Sequence, residues 1–115
     1  MKIVFTSTGK SWDSPLDSVF GRAGNFVLYD EKSGNLSWTS NDKNKNAGHG
    51  AGIQAGQTVI DMGADVVITG GDVGPKATEV LMKSGITIYK DFGNKTVRQA
   101  YESFKYGELE LIDSK

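Results

Sequence analysis

The chain has 115 residues, a length typical of one compact domain and too short for two. It contains no cysteine, which excludes disulfides, thiolate-held iron–sulfur clusters, zinc sites built on cysteine and thiol nucleophiles. The 13 Lys and Arg residues nearly balance the 14 Asp and Glu residues, so a formal net charge of −1 gives no overall positive field to attract nucleic acid. No apolar run has the length of a signal-peptide core or a membrane span, so we expect a cytoplasmic protein with no membrane partner.

The first half of the chain predicts an antiparallel meander. Residues 2–8 are rich in β-branched and aromatic side chains and predict an opening strand, and a long polar loop follows over residues 9–24. Residues 25–30 and 36–40 are two more strand-like runs, and the short connection between them, which contains Gly and Asn, favours a β-hairpin. Residues 40–50 contain almost no side chain suited to burial and predict a mobile, solvated loop.

Helices and strands alternate in the second half. Residues 51–62 have apolar side chains at helical spacing and precede a glycine, which predicts a helix of about three turns. Residues 64–69 are almost continuously apolar, which is typical of a strand buried on both faces of a parallel sheet. The later predicted elements are a helix from Pro75 to before Gly85, a strand over residues 86–90, a helix that opens with the capping-box pair Thr96 and Gln99, and a tail from residue 108 that pairs loosely or frays.

The predicted order of elements is β-β-β-α-β-α-β-α. An antiparallel meander followed by βαβ units with right-handed crossovers gives an α/β sandwich around a mixed, five-stranded sheet. The sequence shows no linker or internal repeat, so residues 1–115 are expected to form a single domain.

Residues 69–77, TGGDVGPKA, are the strongest local motif because they lie between a predicted buried strand and a predicted helix. Ligands bind at such strand ends in open α/β sheets. Gly70, Gly71 and Gly74 allow a tight turn with outward-facing N–H groups, and a helix N-terminus adds about half a positive charge. The motif therefore predicts an anion-binding loop, although a plain turn between strand and helix is equally consistent. Its spacing matches neither a Walker loop nor the dinucleotide fingerprint.

Several single residues are further candidates for binding. His49 is the only histidine, and the glycines around it leave its ring accessible to a metal, an anion or a proton, although lone histidines usually have none of these roles. Arg22 either clamps an anion or forms a surface ion pair. Lys76 is more typical of a solvated surface. Trp12 is a candidate to cover a pocket, whereas Trp38 is more typical of core or strand-face packing.

Catalysis has little support in the sequence. A two-metal nuclease needs clustered carboxylates on its central strands, and the predicted strands 2–8 and 64–69 offer only Asp65, at a strand start. No serine lies in a G-x-S-x-G elbow, and the single histidine has no obvious nucleophile partner. No catalytic residue is predicted, and a hydrolytic role that depends on Asp65 or Asp72 is the least favoured hypothesis.

Five segments, in order, resemble the dinitrogenase iron–molybdenum cofactor family. They are FGRAG (20–24), NAGHGAG (46–52), ADVVITGGDVGPKA (64–77), GITIY (85–89) and FKYGEL (104–109). The resemblance spans essentially the whole chain and depends on co-linearity rather than on one motif. It implies a small ribonuclease H-like, three-layer α/β domain that carries, inserts or stores molybdenum- or iron-containing sulfide clusters. Without cysteine, these loops are most similar to the orange proteins, which hold a mixed molybdenum–copper sulfide cluster noncovalently.

The resemblance also implies one cofactor-binding cleft. Its residues would be Arg22, His49 and the glycines at 70, 71 and 74, with Lys76 at the helix edge. Many relatives have a histidine directly before FGR, where this chain has Val19. The sulfides of a thiomolybdate-type cluster already satisfy its metals, so a protein needs to supply positive potential, N–H donors and an apolar wall rather than metal ligands.

Two hypotheses of different classes follow. The first is a non-enzymatic carrier whose site combines helix amides, Arg22 and a protonatable His49 with an apolar wall of Val19, Phe20 and Trp12. Its cargo would be a molybdenum–copper sulfide cluster or, alternatively, an iron–molybdenum–sulfur cofactor or its precursor, with a protein partner for cluster transfer or signalling. The second is a phosphate- or nucleotide-binding regulatory module that acts through a protein partner.

Overall fold

The computed structural model describes residues 1–45, 50–91 and 93–112. Within these ranges, six strands form one mixed sheet in the order β3-β2-β1-β4-β5-β6. The strands are β1 (Lys2–Ser7), β2 (Asn25–Asp30), β3 (Asn35–Ser40), β4 (Val66–Thr69), β5 (Thr87–Lys90) and β6 (Glu110–Leu111). The helices are α1 (Asp42–Lys45), α2 (Ala51–Asp61), α3 (Pro75–Lys83) and α4 (Val97–Lys105).

The predicted α/β fold with a mixed sheet is confirmed, but the predicted number of five strands is wrong. The sixth strand, β6, pairs antiparallel with β5 and places Leu111 opposite Tyr89. A strand of two residues has no hydrophobic period to detect, and its pairing depends on the open edge of β5. The ribonuclease H-like assignment stays a prediction.

Helices cover both faces of the sheet because successive residues of a strand point to opposite sides. In β1, Val4 faces a core shared with α2 and α3, whereas Ile3 and Phe5 face a second core under α4. The apolar runs of β1 and β4 are therefore buried on both sides, which the sequence predicts for residues 64–69. No helix among the described residues combines the length and the apolar character needed to cross a bilayer.

The segment after β3 differs from its prediction as a solvated loop. Asp42–Lys45 forms the short helix α1, and Asn41 and Asn44 are buried. Residues 46–49 of the predicted loop lie outside the described residues. Polar side chains can be buried when their hydrogen bonds are satisfied, and these two asparagines bond to each other and to partners 14 or more positions away.

The carboxyl edge of the parallel strands is the natural place for a ligand site. β1 pairs antiparallel with β2 on one side and parallel with β4 on the other. The chain therefore continues from β1 toward one side of the sheet, to β2, and from β4 toward the other side, to β5. Ligands in open α/β sheets bind outside the carboxyl ends of strands at such a point. The loop before β2, the start of α2 and the start of α3 meet at this edge.

Candidate anion-binding site

Two buried threonines lie at the carboxyl ends of β1 and β4. The Oγ1 of Thr6 donates a 2.7 Å hydrogen bond to the carbonyl oxygen of Asp17 and lies 3.4 Å from the Oγ1 of Thr69. The Gly70 amide donates to the Asp17 carbonyl at 3.1 Å and to Thr6 Oγ1 at 3.3 Å. The Gly71 amide donates to Thr69 Oγ1 at 3.4 Å. These bonds fix the glycine loop against the long loop that follows β1.

The glycines at positions 70 and 71 allow this close packing. A Cβ at Gly70 would lie 2.7 Å from the carbonyl oxygen of Asp17, and one at Gly71 would overlap the carbonyl oxygen of Ser18. Their amides donate to acceptors within the protein, which corrects the expectation of outward-facing N–H groups at these two positions. Donors for an anion from this segment must come from further along it, at the start of α3.

A series of close contacts joins the three segments at this edge. A Cβ at Gly21 would lie 2.9 Å from the Cα of Gly52, so the loop that carries Arg22 touches the first turn of α2. A Cβ at Gly52 would in turn lie 3.5 Å from the Cβ of Ala77, in the first turn of α3. The sequence motifs around Arg22, Gly52 and Ala77 are therefore neighbours in the folded chain.

Two asparagines that the sequence analysis missed hold the Arg22 loop in place. The buried Asn41 side chain donates from Nδ2 to the carbonyl oxygens of Gly21 and Ala23, at 3.2 and 2.8 Å. Asn44 donates from Nδ2 to Asn41 Oδ1 at 2.9 Å and to Thr58 Oγ1 of α2 at 3.0 Å. Asn41 and Asn44 thus connect the loop before β2 to α2.

The helices α2 and α3 both begin at this edge without a side-chain cap. Gly50 is the N-cap of α2 and Gly74 is that of α3; among the residues that the structure describes, neither helix has a capping hydrogen bond from a side chain or an acidic residue in its first turn. By contrast, α4 on the other face of the sheet begins with a capping box between Thr96 and Gln99, as predicted. First-turn amides of an α-helix have no partner inside the helix, so these two N-termini keep donors and positive potential for an acceptor from outside.

The charged side chains at this edge favour an anion. Arg22 and Lys76 are both exposed. The Asp17 carboxylate accepts hydrogen bonds from the amides of Val19 and Gly24, at 3.3 and 3.2 Å. Asp72, the acid nearest the start of α3, pairs with Lys90 Nζ at 3.1 Å. Hydrogen bonds to Asp72, and then to Glu110, raise the pKa of Lys90 above its ordinary value, so Lys90 stays charged and offsets the carboxylate.

The structure does not place all the predicted site residues together. Trp12 lies on the opposite face of the sheet, where its ring packs edge-on against Tyr29 with centroids 4.8 Å apart, so it cannot cover this site. Phe20 is 2% exposed and packs in the core under α2 and α3, so it supports the loop rather than lining a surface. The neighbouring Val19 is 49% exposed and remains available as an apolar contact. His49 lies outside the described residues.

A family model for the dinitrogenase iron–molybdenum cofactor family matches residues 1–107. The chain belongs to this family. The apo form of the orange protein from Desulfovibrio gigas is 37% identical, with a TM-score of 0.91 over 96% of this chain and 92% of that one. A putative NifB protein from Thermotoga is 28% identical, with a TM-score of 0.84 over 99% of this chain and 94% of that one. An uncharacterized protein of Methanocaldococcus jannaschii is 28% identical over 82% of this chain and 80% of its own length.

The donor set of this family member suits an anion better than a bare metal ion. The sequence has no cysteine, and the described residues contain no group of three or more His, Asp or Glu side chains that could hold a metal. Asp65 and Asp72, the two acids of the hydrolytic hypothesis, lie before and after β4 and so at opposite ends of this strand. Backbone amides and the cationic side chains of Arg22 and Lys76 are the groups that this edge offers.

An open groove of about 920 Å³ adjoins the site on the side of β5 and β6. Asp72, Val73 and Pro75 from the glycine loop and α3 form one end, and Lys90 and Leu111 line the opposite wall. The Arg22 loop and the first turn of α2 do not line it. This groove therefore lies beside the predicted cleft rather than inside it.

Proposed function

We propose that this protein is a non-enzymatic carrier that holds an anionic metal–sulfide cluster noncovalently at the carboxyl edge of β1 and β4. The observation that carries the proposal is the meeting of two helix N-termini without side-chain caps, at Gly50 and Gly74, beside the loop of Arg22. A sulfide cluster is a bulky anion with many acceptor atoms. It would accept hydrogen bonds from the first-turn amides while Arg22 and Lys76 balance its charge.

The strength of such a site depends on several modest contacts. Hydrogen bonds that involve a charged group contribute about 1.5 to 3 kcal/mol each. Three or four of them are enough for micromolar retention when the site is already formed and little ordering is needed on binding. The hydrogen bonds of Thr6, Asn41 and Asn44 fix the backbone of this site before any ligand arrives. Gly70 and Gly71 contribute close packing, and Gly74 is the N-cap of α3. His49 is retained as a protonatable donor from the family resemblance.

The comparisons guide the choice of cargo. The family takes its description from the dinitrogenase iron–molybdenum cofactor. The related Desulfovibrio gigas structure is described as an apo form, which implies that this relative also has a ligand-bound form. The resemblance to the orange proteins makes a molybdenum–copper sulfide cluster the first cargo to test. An iron–molybdenum–sulfur cofactor or its precursor is the alternative. A protein partner that receives the cluster or responds to it belongs to the same proposal, as does a place in the cytoplasm.

Reconstitution tests this function directly. The purified apo protein is mixed with tetrathiomolybdate and copper, desalted and examined for retained colour and for molybdenum and copper content. We expect the wild type to keep a coloured complex, and Arg22→Ala and His49→Ala to keep less. Arg98→Ala is the matched control because Arg98 is an exposed arginine on α4, on the other face of the sheet, and it should retain cluster like the wild type. A wild type that elutes colourless contradicts the proposal.

A thermal-shift series separates the carrier from a phosphate- or nucleotide-binding module. Thiomolybdate with copper, inorganic phosphate and ATP are added to the apo protein in parallel. A ligand present at about 100 times its dissociation constant adds about 2.7 kcal/mol to the free energy of unfolding. Stabilisation by the thiometallate alone supports the carrier, and stabilisation by ATP alone supports the regulatory module.

A further inference from the structure

An acidic side chain lies beside the proposed anion site. Asp72 follows Gly71 in the glycine loop and precedes Gly74, the N-cap of α3, by two positions. Its side chain is 78% exposed, so solvent and any ligand at this edge can approach the carboxylate. A negative charge at a helix N-terminus interacts with the same helix dipole that attracts an outside anion, and it repels that anion. An uncompensated Asp72 would therefore weaken binding at the start of α3.

Lys90 compensates this carboxylate from the neighbouring strand. It is the last residue of β5 and pairs in register with Thr69, the last residue of β4, so its side chain starts from the same carboxyl edge as the glycine loop. Lys90 Nζ lies 3.1 Å from Asp72 Oδ1. In the part of the chain that the structure describes, no side chain caps α3 with a hydrogen bond. The Asp72 carboxylate thus pairs with Lys90 and does not occupy the first-turn amides of the helix.

A second carboxylate holds the Lys90 ammonium group in place. Glu110 of β6 approaches it from another part of the chain, with Oε2 at 3.2 Å from Nζ. The Lys90 side chain is only 19% exposed, whereas those of Asp72 and Glu110 are 78% and 69% exposed. An ammonium group held between two acids is poorly placed to meet a ligand itself. Any effect of Lys90 on the anion site must therefore pass through Asp72.

We infer that Lys90 is a positioning residue of the anion site: it holds the Asp72 side chain toward β5 and β6 and cancels its charge, so that an anion can bind the first-turn amides of α3. The inference rests on the proposed function, because it names a residue that sets the strength of that same site. It also explains how a loop at an anion site tolerates an acid. Through Lys90, Asp72 joins the glycine loop to Glu110 of β6.

Substitutions at positions 90 and 72 test this role. The wild type, Lys90→Met, Asp72→Asn and the double variant are titrated in the apo form with tetrathiomolybdate and copper, and the retained molybdenum is measured after desalting. We expect Lys90→Met to need about two- to fivefold more ligand for half saturation, which is the usual effect of one charge at a helix N-terminus. Asp72→Asn should bind at least as tightly as the wild type. The double variant keeps the formal net charge of the wild type and should bind like it.

Salt dependence separates an electrostatic role from a structural one. The titrations are repeated as the NaCl concentration rises from about 0.05 to about 0.5 M, which screens exposed charges. The difference between Lys90→Met and the wild type should shrink over this range, whereas a displaced loop would weaken binding at every salt concentration. Urea unfolding of each variant checks that the chain remains folded.

Lys83→Met is the matched control. Lys83 lines the same groove as Lys90 and pairs with Glu79 at 3.0 Å, so its removal changes the net charge equally. The carboxylate that it releases lies beyond the first turn of α3, where it does not compete for the free amides. We expect this variant to bind the cluster like the wild type. A loss equal to that of Lys90→Met would show that only the net charge matters and would overturn the inference.

The remaining outcomes distinguish the positioning role from the carrier function. Equal retention by Lys90→Met and the wild type overturns the inference and leaves the carrier function supported. A double variant as weak as Lys90→Met also overturns it, because Lys90 would then act without Asp72. A wild type that retains no cluster contradicts the carrier function and the inference together, and that result is evident before any variant is compared.

Discussion

Gly21 and Gly52 approach so closely that a Cβ at Gly21 would lie 2.9 Å from the Cα of Gly52. The neighbouring atoms belong to the backbone of α2 and have no rotamer by which to move away. Gly21→Ala must therefore push the loop away from the helix and displace the adjacent Arg22. Overpacking of this kind costs about 1 to 3 kcal/mol. We expect a loss of that size in equilibrium urea unfolding, together with weaker retention of the reconstituted cluster.

Gly24→Ala is the control from the same loop. A Cβ at Gly24 would lie 3.5 Å from the carbonyl oxygen of Ser7, which is an ordinary contact distance. Replacing glycine by alanine where the backbone allows it changes the free energy of unfolding by less than about 1 kcal/mol, often favourably. Equal losses in the two variants would show that the contact with Gly52 is not what makes position 21 sensitive.

Asn41 gives a prediction about the same loop from its other side. Its buried amide satisfies two backbone carbonyls, those of Gly21 and Ala23. Removing one partner of a buried hydrogen bond costs about 1 to 3 kcal/mol because the other is left unsatisfied. We expect Asn41→Ala to lose that much stability in urea unfolding. Asn41→Asp should lose more, since it points a carboxylate at two carbonyl oxygens. Asn35→Ala, at an exposed position of β3, should stay within about 0.5 kcal/mol of the wild type.

Much of the fold can be predicted from local patterns because the core elements are amphipathic or wholly apolar. The continuous apolar run of β4 is typical of a strand buried on both faces, and the β-branched and aromatic residues of β1 predict a strand. The capping box of α4 is visible in Thr96 and Gln99, since all its partners lie within four residues. These features depend on neighbours in the sequence.

The parts that could not be predicted depend on distant partners. In the sequence, Asn41 is a typical loop residue. Its role depends on hydrogen bonds to the carbonyls of Gly21 and Ala23, which are 20 and 18 positions away and give no local signal. β6 exists because β5 offers an edge, and two residues show no period of their own. Trp12, a candidate to cover a pocket, lies on the α4 side of the sheet because the long first loop returns there, and its ring packs against Tyr29 and Tyr101.

Tyr101 leads to a prediction about alkaline pH. Burial raises the pKa of its hydroxyl above the ordinary value of 10.0, and a 2.6 Å hydrogen bond to Glu31 adds to the effect. The folded state therefore holds its proton more tightly than the unfolded state. This contribution is complete below the ordinary pKa and is lost as the pH rises above about 10. We expect the free energy of unfolding to decline above that pH, and to decline less steeply in Tyr101→Phe.

Absorbance measurements complement the unfolding experiment at high pH. Ionisation of Tyr101 should be delayed to a pH above its ordinary pKa, and this late step should be missing from Tyr101→Phe. Tyr106→Phe is the control, because Tyr106 is 79% exposed. Its alkaline stability curve should match that of the wild type. Identical curves for Tyr101→Phe and the wild type would mean that another group causes the alkaline decline.

Gly74 provides the most direct test of the helix N-terminus. It has φ of −58° and ψ of 155°, which any residue adopts, and a Cβ there would meet no atom within 4 Å. Gly74→Asp therefore adds a capping carboxylate without strain. Its oxygens accept from the first-turn amides of α3 and interact favourably with the helix dipole, so we expect a gain of about 0.3 to 1 kcal/mol in urea unfolding. The same carboxylate occupies the donors proposed for the cluster and repels its charge, so retention of the cluster should fall.

A gain in stability together with a loss of cluster in Gly74→Asp would show that the N-terminus of α3 binds the cluster. A gain in stability alone would show only that this helix lacks a good cap. Gly74→Ala is the control because it adds a Cβ without an acceptor, and it should retain the cluster like the wild type. If Gly74→Asp gains stability and still binds the cluster fully, the amides of α3 do not hold the cargo. In that case the anion site would have to depend on the start of α2 and on Arg22. If Gly74→Asp loses both stability and cluster, position 74 is structural, and the free amides of α3 have no demonstrated role in binding.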